Sequence, residues 1–324
     1  RALSKKGMRD RLGLVTGGEP EPYPTKAEFE ADLETMRTGL AHAAAHGITF
    51  IHNMDGNIYT LELIDELGKR GELSARVRVP FHFKNFMDLP MLEKASMMAD
   101  RYRSDMLSSG FVKLFMDGVT DSGTAVMLGD YADRPGWKGE PLFPPARFAE
   151  IAIEADRRGL QIAVHAIGDG AVRIVLDGYE AALRANGRRD SRHRVEHVEV
   201  IDPADIPRFA ALGVIASMQP PHPPGCHGLP LEPYLSRIGR QRWPFAFAWR
   251  GLREAGVPLV FGTDWPVSDI DPLWSIQSAM TRGRWSDDMP DNRQTLDEAL
   301  RAYTADAAHA GFMDQKTGRL REGM

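Results

Sequence analysis

The chain of 324 residues has one cysteine, Cys226, which excludes an internal disulfide framework and any Cys-x-x-Cys metal or redox motif. It also lacks an excess of basic charge. With 40 Lys and Arg against 45 Asp and Glu, the formal net charge is -5, so there is neither an electrostatic footprint for nucleic acid nor a polybasic membrane signal. No apolar run approaches the roughly 18 residues expected of a membrane helix, and the opening RALSKKGMRDRLGL has no apolar signal segment. No GxGxxG or GxxxxGK[ST] loop follows an early strand-like run, which leaves nucleotide binding without support. At 43% hydrophobic and 26% charged residues the composition is that of a soluble globular protein. The expectation is small-molecule chemistry in the cytoplasm, with no nucleic-acid or membrane partner and with self-association into a homo-oligomer left open.

What the sequence does have is alternation. From residue 26 onward, helix-period stretches separate seven short strand-like runs: 47–53, 75–83, 111–117, 160–168, 193–200, 213–219 and 257–264. TKAEFEADLETMRTGLAHAAAHG precedes the first run and DGAVRIVLDGYEAALRANG follows the fourth. Asp202 and Pro203 read as the N-cap and first residue of a helix that Gly213 ends. Seven βα units in series predict an α/β fold of the (β/α)8 TIM-barrel type more than an open doubly wound sheet, with one strand missing. Two long loops, 118–143 and 220–243, follow strand ends, where barrels build active sites.

The later runs carry unusual polar residues: Lys113 on the third, His165 on the fourth, His197 on the fifth and Asp264 on the seventh. Strand alternation puts Lys113 with Phe111 and Phe115, His165 with Ala163, and Asp264 with Gly262 and Val260. Small neighbours leave room for a ligand. Two imidazoles and a carboxylate at one end of a barrel are a plausible set for zinc or a similar divalent ion. Taken singly each has a plainer reading: a hydrogen-bonded core histidine, a paired or snorkelling lysine, a turn aspartate. Their arrival in successive units favours a site. Asp117, Gln219, His222 and Trp265 lie just past strand ends as candidate substrate contacts, with loop solvation or rim packing as the alternatives.

KLFMDG, HAIGDGAV, HRVEHVEVIDPADIPRFAALGVIASMQP, FGTDWPV and TLDEALRAYTADAA resemble, in that order, the motifs of the metal-dependent amidohydrolase superfamily. Within it the chain is similar to amidohydrolase family 3, the YtcJ-like branch that includes N-substituted formamide deformylases. The resemblance implies a barrel with one or two metals at its strand ends and a small flanking β-sandwich. It also implies ligand roles for Lys113 as a carbamate formed with carbon dioxide, for His165 and His197, and for Asp264. A carbamate would turn the lysine from a cation into an anionic oxygen donor. The family's first-strand His-x-His pair is absent from the ten histidines. The chain is therefore read as the middle and rear of a longer polypeptide: an extension or linker over 1–25, barrel strands 2 to 8 over 26–310, and the start of a return to the sandwich over 311–324.

The implied reaction is hydrolysis of an amide or related C–N bond of a small molecule through a metal-bound hydroxide, with Asp264 as general acid and base. A scaffold barrel that has lost catalysis, and a lyase or isomerase on the same metal site, are the competing readings.

Overall fold

Helices begin where the sequence supplies caps. After α1 (Lys6–Arg11), the Thr25 side chain accepts from the Glu28 amide while Glu28 reaches back to Thr25 N, a reciprocal box that launches α2 (Lys26–Ala45). The Asn57 side chain caps α3 (Ile58–Lys69) in the same way, by accepting from Thr60 N at 2.9 Å. The computed structural model describes residues 6–14 and 16–322, and the chain divides into two compact units. Unit 1 is Arg1–Leu114 with Arg158–Ile162, and unit 2 is Phe115–Arg157 with Ala163–Met324.

In unit 1 the strands β1 (Phe50–His52), β2 (Arg76–Arg78) and β4 (Leu107–Ser108) form a parallel sheet, with Ile51 opposite Val77 and Val77 opposite Leu107. A second parallel pair joins β3 (Phe81–His82) to β5 (Phe111–Phe115) through Phe81 opposite Val112 and His82 opposite Lys113. The run expected as one strand over 75–83 is thus two, in different sheets. Pro80 lies between them and has no N–H to continue a ladder. Helix α4 (Leu92–Arg101) precedes β4, a short strand that the periodicity did not predict. Within the segment expected as an N-terminal extension or linker, Met8 and Leu12 are buried, and Arg11 makes two 2.6 Å hydrogen bonds to the Asp32 carboxylate, which also accepts from Tyr59 Oη. Without Arg11, Asp32 would be buried and lack its cation.

Unit 2 continues with α5 (Pro145–Arg157), β6 (Gln161–Ala166), α6 (Asp169–Asn186), β7 (Arg194–His197), α7 (Ile206–Leu212), β8 (Ile215–Met218), α8 (Tyr234–Ile238), α9 (Trp249–Glu254) and β9 (Leu259–Phe261), then α10 (Pro272–Thr281), α11 (Leu296–Tyr303) and α12 (Ala305–Ala310). Strands β6 to β9 pair in order and all in parallel, so their C-terminal ends share one edge of the sheet. Ile215, Val260 and Ala310 pack together behind it. Helix α7 starts three residues later than the sequence suggested. Asp202 makes a local turn to Ala204 N, while Asp205 takes the cap position with Pro207 in the first turn; Gly213, at φ +71°, ends the helix as expected. Residues 311–322 are turns without a strand. No helix of the described residues is long and apolar enough to cross a membrane.

One buried polar cluster ties β7 to α5. The Asp156 carboxylate is opposed by burial, yet hydrogen bonds from His193 and Asn186 and the Arg189 cation hold its pKa down to about 2. A depressed carboxyl contributes stability above its unfolded value and loses it as pH falls through its folded value. Thermal melts between about pH 4 and pH 2 are expected to show a loss of stability that Asp156→Asn shares far less; equal slopes in both proteins would show that the cluster does not carry it.

Candidate metal centre

The edge formed by the ends of β6 to β9 carries the polar residues of unit 2. The last residue of β7 is His197, at φ 77°, and Val198 follows at φ 49°. Three residues past β9, Asp264 sits at φ 58°. Left-handed backbone at non-glycine residues costs on the order of 1–3 kcal/mol each and persists only where the surroundings enforce it. Here it turns His197 and Asp264 away from strand alternation and toward one point. His222 arrives from the loop after β8, through a turn in which its N–H donates to Gln219 O at 3.1 Å. One potential ligand atom from each of His197, His222 and Asp264 lies within 4.8 Å of the other two.

Each imidazole has a defined task. The His197 Nδ1 is 2.9 Å from Gln219 Oε1, and the Gln219 amide is turned by its contact with Ser217 O, so Nδ1–H donates and Nε2 carries the lone pair. The two rings of His197 and His222 stand nearly parallel, 5.9 Å apart. Burial pushes His222 down to about 4, which keeps its imidazole neutral. Its Nε2 is buried without a hydrogen-bond partner. A neutral, desolvated nitrogen of this kind, beside a second oriented imidazole and a carboxylate, fits a divalent cation and in particular the N/O donor set of zinc. Replacing Gln219 by leucine is expected to lower metal affinity by about 10–100-fold, the usual cost of losing an orienting partner; titration against a chelator of known affinity measures it, and unchanged affinity would assign Gln219 elsewhere.

The sequence placed His165 among the ligands and His222 among the substrate contacts; the geometry brings His222 to the cluster and gives Nε2 of His165 a backbone partner. The His165 ring touches that of His197 edge-on at 4.4 Å, but its Nε2 is 2.9 Å from Gly118 O. That carbonyl can only accept, so Nε2–H donates to it and His165 stands beside the three-residue cluster. Sequence position offered both Gln219 and His222 past the end of β8 and did not choose between them. Lys113 lies in unit 1, 2% exposed on β5 opposite His82. Trp265, half-buried, follows Asp264 directly.

Asp117, read from sequence as a substrate contact, has a different task. It is 1% exposed, and its carboxylate accepts from three backbone amides: Ile167 at 3.0 Å, Gly168 at 3.0 Å and Val126 at 2.9 Å. Burial pushes its carboxyl up to about 7 against the pull of those amides. The result pins the loop after β5 to the turn between β6 and α6. Gly168 permits this approach, since a Cβ there would stand 2.0 Å from Val126 O. The sequence also gave no weight to Glu199, whose carboxyl is raised to about 8 by burial and then by Asp121, Asp117 and Asp264. It lies two residues past a strand-end histidine, in a position that alternation alone does not single out.

Comparison with known proteins agrees with this architecture. The amidohydrolase family model matches residues 2–324. The chain is 36% identical over 236 residues to protein LONG AFTER FAR-RED 3 of Arabidopsis thaliana, covering 72% of this chain and 39% of that protein. It is 27% identical over 360 residues to N-substituted formamide deformylase of Arthrobacter pascens, covering 96% and 63%. A solved metal-dependent hydrolase of Pyrococcus furiosus superposes with a TM-score of 0.74 at 26% identity, over 91% of this chain and 58% of its own. The chain thus spans less than two thirds of the length of each, with a fold of their TIM-barrel class. Strand order, the convergence of histidine and aspartate at strand ends and the match along the chain lead to one assignment: this chain belongs to the amidohydrolase family.

Proposed function

We propose that the full protein is a metal-dependent hydrolase that cleaves an amide or related C–N bond of a small molecule, with N-substituted formamides as the first substrate class to test. The observation that carries this reading is the meeting of His197, His222 and Asp264 at one point, with the His222 nitrogen buried and unpartnered. The similarity to N-substituted formamide deformylase supports the choice of substrate.

His197, His222 and Asp264 would hold the ion, with Gln219 fixing the tautomer of His197. A divalent metal, zinc by its donor set, supplies when bound a Lewis acid for the substrate carbonyl and lowers the pKa of a water toward neutrality. Asp264 takes a proton from the attacking water and delivers it to the leaving nitrogen as the C–N bond breaks, so amide and water become carboxylic acid and amine. Trp265 offers an apolar face beside Asp264 for the substrate's substituent. Lys113, converted to a carbamate, is proposed as an anionic oxygen donor to metal. A cytoplasmic location accompanies this reading.

Elemental analysis of the purified full-length protein, paired with assays for amine and formate release from a panel of N-alkyl and N-aryl formamides, tests it. One or two divalent ions per chain and turnover that stops on chelation are expected. A folded full-length protein without metal, or amine release indifferent to chelation, would sink the proposal.

A further inference from the structure

Unit 1 holds a cluster of ionisable side chains, Asp55, His82 and Lys84, that the reaction outlined above does not use, around Lys113, which it does. His82 on β3 is the register partner of Lys113 on β5, and Phe83 N donates to Lys113 O at 2.9 Å. Directly opposed residues on neighbouring strands present their side chains to the same face of the sheet. Both are buried, His82 at 4% exposure and Lys113 at 2%. The two are electrostatically in touch, since His82 is lowered by burial first, held up by Asp55, and lowered further by Lys84 and Lys113.

The imidazole is held from its other edge. His82 Nδ1 is 2.8 Å from Asp55 Oδ1, and Lys84 Nζ sits 3.0 Å from the same nitrogen and 4.0 Å from Asp55 Oδ2 while donating to Leu14 O at 3.0 Å. Asp55 can only accept and the Lys84 ammonium can only donate, so Nδ1 cannot bond both; the shorter contact, 2.8 Å to Asp55 against 3.0 Å to Lys84, takes Nδ1–H, and the lone pair is then on Nε2. A carboxylate that fixes the tautomer and ring orientation of a histidine is the arrangement by which proteins aim an imidazole at a third group.

We propose that the Asp55–His82 pair is a positioning device for Lys113, with His82 Nε2 accepting the N–H on Lys113 Nζ and so setting the plane of a carbamate built on that nitrogen. The inference rests on the reading of Lys113 as a site of carbamate formation. In that step the neutral amine attacks the carbon of carbon dioxide, an N–C bond forms, one C=O π pair moves onto oxygen, and one amine proton leaves to solvent. A single N–H remains on Nζ. The N–C bond of a carbamate is planar by the same resonance that flattens a peptide, so fixing that N–H fixes both oxygens. His82 is accordingly a positioning residue and not a metal ligand.

The test uses the full-length protein equilibrated with 13C-labelled bicarbonate, observed by 13C NMR for a carbamate carbon, together with zinc affinity and circular dichroism. The parent is expected to show the carbamate resonance and Lys113→Ala to lack it. His82→Leu should retain the fold, lose most of the resonance and bind zinc about 10–100-fold more weakly. His82→Gln, which keeps an acceptor near the position of Nε2, should recover both. Parental resonance and affinity in His82→Leu would overturn the proposal alone, as would a loss that His82→Gln fails to restore. A parent without the resonance would overturn the carbamate reading and this inference with it, while the centre at His197, His222 and Asp264 would still be judged by its own metal content.

Discussion

Asp264→Asn is expected to lower kcat on the best formamide by about 10²–10⁴-fold, the range lost with a positioned acid–base group, while leaving the melting temperature near that of the parent. The substitution is chosen for the backbone. Asp264 sits at φ 58°, a region that asparagine tolerates as well as aspartate, so the local turn and its Asp264 O to Val267 N hydrogen bond should survive. What disappears is the carboxylate, and with it both the proton acceptor and one anionic donor to metal. Separating those two losses needs zinc titrated back into the variant. If activity stays low at full metal occupancy, the missing function is proton transfer. If excess zinc restores kcat, Asp264 acts as a ligand only, and another group near the strand ends must move the proton. Glu199 would then be the next residue to replace, since its burial and its coupling to Asp264 already hold it apart from ordinary surface carboxyls.

The strands were legible in sequence because period-two runs and capping residues are local signals. The run 160–168 became β6, and the helix-period stretch before the first run became α2. What failed was pairing. Nothing in ARVRVPFHF states that its two halves join different partners; only the missing N–H of Pro80 hinted at it, and the outcome depends on β4 and β5 being available to pair. The centre was legible to the extent that its residues end strands, as His197 does. That His222 joins His197 and Asp264 could not be read, because strand position reports where a side chain starts and not where its nitrogens end. Gly118 O claims Nε2 of His165, and a turn on Gln219 brings in His222. The left-handed backbone at His197, Val198 and Asp264 could not be read either: it is a minority conformation even for His and Asp, and the β-branched Val198 rarely adopts it.

Asp117 shows how the same ambiguity affects a residue that looks catalytic. An aspartate before a glycine at a strand end reads as a site residue, yet its carboxylate serves three amides of two segments that lie about 40 residues apart in sequence. Asp117→Ala would leave those three N–H groups buried without an acceptor. Because each such orphan costs about 1–3 kcal/mol, the unfolding free energy should fall by about 3 kcal/mol or more, an effect readable as a lower denaturant midpoint. Activity should fall as well, through displacement of Gly118, whose carbonyl holds His165. The two roles for Asp117 therefore separate in stability and not in rate. A variant that unfolds near the parental midpoint and shows only a raised KM would return Asp117 to the substrate, and would require the 126 and 167–168 amides to find other acceptors.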